Sequence, residues 1–208
     1  MPFHRRAEHV MAMPKMLEQW TAARVRELPD DGNRYEVVDG ELLVTPAPSW
    51  NHQDVVGELF VALRAYCKSQ SFGHTAVSPA DIELDPKTLL QPDVFVVPLT
   101  EGRRPKNWED IRGLLLVVEV LSPSTARADR TVKRRRFQRA GVPEYWIVDV
   151  DARLIERWRP ADERPEVIND RLTWQPQDAS APFVLDLPAF FRGSCKTRPS
   201  PSLERART

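Results

Sequence analysis

The sequence predicts an α/β or α+β domain with one mixed β-sheet covered by helices. Three observations carry this. Short apolar runs of strand type alternate with stretches of helical period. The 208 residues are 41% apolar, enough for one substantial core. Nineteen prolines against eight glycines mark stiff loops and extended tails, and there is no internal repeat.

The elements follow in order. Residues 1–13 carry His4, Arg5, Arg6, His9 and several methionines without a period, and are expected to be a flexible extension with Met11 or Met13 as alternative starts. In residues 14–28, Leu17, Trp20, Val25 and Leu28 have helical spacing, with Thr21 as a cap. "LPDDGN" ends that helix. "YEVVDGELLV" reads as a hairpin, because Asp39 and Gly40 both tolerate the positive φ of a two-residue turn. "TPAPSW" is a Pro-rich connection. "NHQDVVGELFVALRAYCKS" is the clearest helix: Val55, Val56, Leu59, Phe60, Leu63 and Cys67 recur every three or four residues, with Asn51 as N-cap.

Strand-like pieces are expected at 74–84 and 94–97. A charged loop, "TEGRRPKNWEDIRG", leads to a strand at 114–121. "SPSTARADRTVKRRRFQRAG" is a second helix, capped by Ser124 or Thr125 and closed by Gly141. "EYWIVDV" and "RLIERWR" are two strands about a turn, and a further strand pair is expected within 166–185. The domain is expected to span 14–192. The Pro-, Ser- and Arg-rich tail, 193–208, is expected to be disordered.

Thirty basic side chains balance thirty acidic ones, so attraction to nucleic acid must come from a local patch. The two cysteines, Cys67 and Cys195, have neither a disulfide framework nor metal-ligand spacing, and the simplest setting is a reducing cytoplasm. The first thirty residues show no signal-type apolar core, and no apolar run is long enough to span a membrane.

The acids on strands are the first chemical candidates. In "QPDVFVV", Asp93 follows Pro92 at a strand start, where proline is tolerated. In "LLLVVEVLSPS", alternation places Glu119 on the face of Leu115, Val117 and Leu121, close to the break at Ser122-Pro123. If these strands run antiparallel and adjacent, Asp93 and Glu119 converge. Two converging carboxylates repel, and a divalent cation offsets that repulsion; oxygen-only ligands favour Mg²⁺ or Mn²⁺ over zinc. The alternative is that Asp93 caps a turn and Glu119 pairs with an arginine or faces water.

On the next helix Asp129 and Lys133 are four residues apart, on a face continued by Arg136, Phe137 and Ala140. A lysine near two acids and a metal can orient or activate water and neutralise phosphate charge. Taken alone, the pair reads as an ordinary i, i+4 salt bridge.

The set "RYEVVDGELLVTPAPSWNHQ", "QPDVFVV", "LLLVVEVLSPSTARADRTVK" and "AGVPEYWIVD" resembles the PD-(D/E)XK nuclease superfamily. Within it, the chain is most similar to the Uma-type family of restriction-endonuclease-like proteins, over roughly residues 15–190. The resemblance implies a restriction-endonuclease-like fold, with a central mixed sheet of four or five strands flanked by helices, and Mg²⁺-dependent DNA cleavage. Asp93 matches the acid of the first motif and Glu119 that of the second. The usual lysine two residues after the second acid is absent, since Leu121 stands there. In the Uma-type pattern the lysine comes from the following helix, which points to Lys133. The carbonyl of Val120 would complete the metal shell. Nucleases of this fold often pair to cut two strands, which implies a homodimer.

Weaker candidates surround these. Glu36 and Glu41 flank the Asp39-Gly40 turn; either could support the metal or its water, and Glu41 resembles the family's "DGE". His52 fits the family's "HQ" and would contact phosphate or carry a proton. Asp149 ends "YWIVD" and reads as a strand-end acid. Arg127, Arg130 and Arg134 share a helix face that could grip DNA phosphates, with the steep salt dependence of such contacts. There is no aromatic–basic alternation of the kind that stacks single strands. The competing reading is a catalytically inactive module that binds DNA or a protein partner.

Overall fold

The computed structural model describes residues 19–194. The expected extension over 1–13 lies outside them, as does the expected tail beyond 194. Helix α1 (Ala22–Arg26) starts where Thr21 Oγ1 accepts the Arg24 amide, as the cap reading expects. Strands β1 (Arg34–Val38) and β2 (Glu41–Thr45) form the hairpin. Asp39 and Gly40 turn it with φ of 51° and 88°.

Helix α2 (Trp50–Gln70) is capped by Ser49, not Asn51, which lies inside the first turn. The hydroxyl of Ser49 accepts the His52 amide at 3.4 Å. Strands β3 (Gly73–Val77), β4 (Ile82–Asp85), β5 (Thr88–Leu90) and β6 (Val94–Pro98) follow. The single expected piece over 74–84 is thus two strands, divided at Ser78-Pro79, where proline has no amide to donate to a ladder. Then come β7 (Leu116–Val120), α3 (Ala126–Ala128), a π-helical turn (Asp129–Lys133) and α4 (Arg134–Arg139). Strands β8 (Tyr145–Asp149), β9 (Leu154–Trp158), β10 (Glu166–Ile168), β11 (Arg171–Trp174) and β12 (Phe183–Asp186) lead to α5 (Leu187–Ser194). Helix α5 carries residues 193 and 194, which the sequence reading assigned to the tail.

The main sheet has six strands, β10-β9-β8-β7-β6-β3, parallel only between β7 and β8. The hairpin does not join it. It pairs with β5 in a separate four-stranded sheet, β2-β1-β5-β4, and β11 and β12 form a third pair. The expectation of one sheet with four or five strands is corrected accordingly. The three-residue β5, which links the hairpin to β4, is too short to show a period.

The main sheet is buried on both faces. On one, Val55, Leu59, Leu63 and Cys67 of α2 pack against Val94, Val96, Leu116 and Val118. On the other, Phe95, Val117, Tyr145 and Ile147 pack against Phe137 of α4 and Val38, Ile82 and Leu90 of the smaller sheet. Burial on both faces explains why "LLLVVEV" is apolar throughout rather than alternating. No helix among the described residues is long and apolar enough to cross a membrane.

Candidate active site

Strands β6 and β7 are antiparallel neighbours, with Val94 opposite Val118 and Phe95 opposite Val117. One step further along that register, Asp93 faces Glu119. Both acids are buried, at 3% and 1% exposure. The arrangement needs Pro92 outside the ladder and the Ser122-Pro123 break just past the end of β7, so that two strand ends meet at one edge of a closed core.

Asp93 is held by three donors. Arg34 Nη1 lies 3.0 Å from Oδ1; His52 Nε2 and the Val120 amide lie 3.1 and 2.9 Å from Oδ2. Burial opposes ionisation of this carboxyl, but the His52 hydrogen bond and charge, the Arg34 guanidinium and the Val120 amide outweigh it and hold the group at about 2.

Glu119 is in the opposite condition. Burial pushes its carboxyl well above the usual range; Lys133 pulls it down, while Asp129, Asp93 and Glu36 push it further up. Lys133 Nζ reaches three carboxylates: Glu36 Oε2 at 2.8 Å, Glu119 Oε1 at 3.2 Å and Asp129 Oδ1 at 3.3 Å. Burial disfavours its charge, but those three acids raise it well above the ordinary lysine value, so it stays an ammonium. Burial raises Asp129 as well, against the pull of Lys133 and a Thr125 hydrogen bond. The π turn over Asp129–Lys133 carries both residues inward; such widened turns recur at functional sites.

Two permanent cations, Lys133 and Arg34, therefore face four carboxylates. The cluster opens onto a cavity of about 220 Å³ walled by the 45–49 and 122–125 segments, with Arg34, His52, Asp93, Glu119 and Lys133 in its lining. A larger cavity elsewhere, about 470 Å³, contains none of these residues. The buried charged cluster sits at the smaller one.

The sequence reading's principal trio, Asp93, Glu119 and Lys133, comes together, with His52 and Asp129 beside it. Val120 adjoins it through its amide. Glu41 does not join: it is exposed, across the hairpin from Val38. Its neighbour Glu36, fully buried, takes the place instead, with Oε1 accepting the Gln91 amide at 2.8 Å. Arg34, which the sequence reading passed over, is the direct partner of Asp93. A basic residue two positions before a buried glutamate on one strand face is the signal that marked it.

The arginine face expected on the basic helix is largely engaged within the molecule. Arg130 binds Asp149 and Glu156 at 2.8 and 2.7 Å. Arg134 lies 4.1 Å over the Trp158 ring. Arg127 is exposed. Asp149, read as a strand-end acid, is a partner of Arg130.

Among the described residues, no three His, Cys, Asp or Glu side chains form a ready-made metal cage. Mg²⁺ does not require one, since it commonly takes one or two carboxylates and keeps several waters. An excess of buried carboxylate opening onto a cavity fits such an ion.

Residues 22–191 match the family described as "Uma2: Putative restriction endonuclease". The chain belongs to the Uma2 family. A solved structure described as "a putative nuclease belonging to DUF820", from Anabaena variabilis, is similar at 20% identity. The match covers 84% of this chain and 99% of that one, with a TM-score of 0.70, and it shows that the two share a fold. No curated protein matches.

Proposed function

We propose that this Uma2 chain is a cytoplasmic, Mg²⁺-dependent endonuclease that hydrolyses DNA phosphodiester bonds at the Asp93–Glu119–Lys133 site. The supporting observation is the charge imbalance: two permanent cations against four carboxylates, at the mouth of a cavity. Asp93, Glu119 and the Val120 carbonyl would hold Mg²⁺ or Mn²⁺. When bound, the ion lowers the pKa of a water nucleophile and polarises the phosphate.

The side chains divide the remaining work. Arg34 and His52 keep Asp93 ionised and fixed in orientation. Lys133, held as an ammonium, positions water and phosphate and offsets developing negative charge; its raised pKa makes it a poor proton acceptor. Glu36 and Asp129 hold that ammonium in place. Arg127 on the exposed helix face would contact a DNA phosphate. Cutting both strands calls for two such sites, so the proposed active form is a homodimer.

The test is cleavage of supercoiled plasmid in Mg²⁺ or EDTA by wild type, Asp93→Ala and Glu119→Ala. Mg²⁺-dependent nicking that falls at least about a hundredfold in both variants is expected. Equal activity in all three would sink the assignment. Salt-sensitive DNA binding without Mg²⁺ binding or cleavage would favour the inactive module instead.

A further inference from the structure

The 470 Å³ cavity lies under the 104–111 segment, against β3 and β6. Alternation turns His74 and Ala76 of β3, and Phe95 and Val97 of β6, towards it. Trp108 closes it, 46% exposed, with its ring 6.4 Å from that of Phe95. A second cavity of about 320 Å³ shares His74 and Arg104 and adds Arg64 and Lys68. The two adjoin at His74 and Arg104, so the groove wraps the β3 edge of the main sheet from the Phe95 face, where its floor is aromatic, to the α2 face.

Its charge is one-sided. Arg64, Lys68, Arg104 and Lys106 line the groove against a single acid, Glu109. All four cations are exposed, and none is in an ion pair among the described residues. Arg64 instead leans over the Phe60 ring at 5.5 Å. Burial, then Arg64 and Arg104, lowers the pKa of His74, so its imidazole is neutral and free to face a ring. This contrasts with Arg130, Arg134, Arg136 and Arg139, which are all engaged internally.

We propose that this groove binds an unpaired nucleotide unit. The base enters the His74–Phe95–Trp108 cavity and its phosphate meets Arg104 and Lys106. Further phosphates along a strand reach Arg64 and Lys68. The volume suits a planar ring, and the floor is apolar. Phe95 is two residues from Asp93, about 7 Å along β6. The strand form of the ligand rests on the DNA reading of the Asp93 site; the chemistry of the groove does not.

The experiment is fluorescence anisotropy of labelled dT12 in EDTA, where nothing is cut. Trp108→Ala is expected to weaken binding about tenfold through lost stacking. Arg104→Ala/Lys106→Ala, at two exposed positions, is expected to flatten the log–log salt dependence by about 1.4. Competition by free dTMP at comparable concentration would assign a free nucleotide as the source, and competition by oligonucleotide alone would assign a strand; either supports the groove. Wild-type affinity and salt slope in both variants, with unchanged thermal midpoints, would overturn it. A wild type that binds dT12 through Trp108 yet cuts no plasmid would remove the proposed catalysis and leave the groove standing.

Discussion

Lys133 and Arg157 are both buried cations, at 1% and 5% exposure, but their surroundings differ in balance. Arg157 meets Glu144 and Glu166, each at 3.2 Å, and Arg159 reaches the same two glutamates. Two cations there match two carboxylates, and the Glu166 side chain is 49% exposed. Around Lys133 no carboxylate partner is more than 2% exposed, and carboxylates exceed permanent cations. Burial raises both Glu144 and Glu119, opposed by Arg157 in the first and by Lys133 in the second, but only Glu119 is pushed further up by three neighbouring acids. Burial of charge alone does not mark a site. A neutral cluster ties β8, β9 and β10 together, whereas the imbalanced one opens onto a cavity and is the one proposed to take a cation.

The widest test of that contrast is removal of each cation. Lys133→Met should cost about 3–5 kcal/mol by urea denaturation, because it strands three buried acids. Arg157→Met should cost less, since Glu166 already reaches water. Equal costs would break the comparison.

Acid titration follows. Asp93 is held at about 2 in the fold against an ordinary 3.8, so its contribution is complete above pH 4 and is lost as pH falls towards 2. The loss should be about 2 kcal/mol and should vanish in Asp93→Asn.

Glu119 has the reverse sign. Its folded value lies above its ordinary 4.5, so the fold binds the proton more tightly and stability falls as pH rises past 4.5. Glu119→Gln should therefore gain about 1 kcal/mol at pH 8 while losing cleavage, a trade of the kind active sites show. A loss of stability would mean that the cluster needs this charge.

The smallest effect is the cation's own. Millimolar Mg²⁺ at pH 8 should raise the wild-type thermal midpoint by about 2–4 °C and leave Glu119→Gln unmoved. An equal rise in both would place the ion elsewhere.

The parts of the site legible in the sequence are those with local signals. Asp93 stands at a strand start after proline, and Glu119 interrupts an apolar run. Lys133 pairs with Asp129 within one helix and resembles the family's displaced lysine. Glu36 and Glu41 looked equivalent because they flank one turn. What separates them is β5, whose pairing with β1 encloses Glu36 and leaves Glu41 outside. Arg34 meets Asp93 across 59 residues of sequence. Arg130 and Arg134 fit a basic helix face until β8 and β9 bring up Asp149, Glu156 and Trp158. The aromatic–basic groove is assembled from α2, β3, β6 and the 104–111 segment, so no window of sequence contains it.

The π turn over Asp129–Lys133 has a consequence in angles. In an α-helix a spacing of four residues overshoots a full turn by about 40°, so two such spacings rotate a side chain by about 80°. A wider turn absorbs part of that drift. Asp129, Lys133 and Phe137, each four residues from the next, are all buried. One rotational phase thus serves an acid, a base and a core anchor. Deleting a residue between Asp129 and Lys133 would swing Asp129 out of phase with Lys133 and Phe137, keeping every side chain in the sequence but one and losing the alignment.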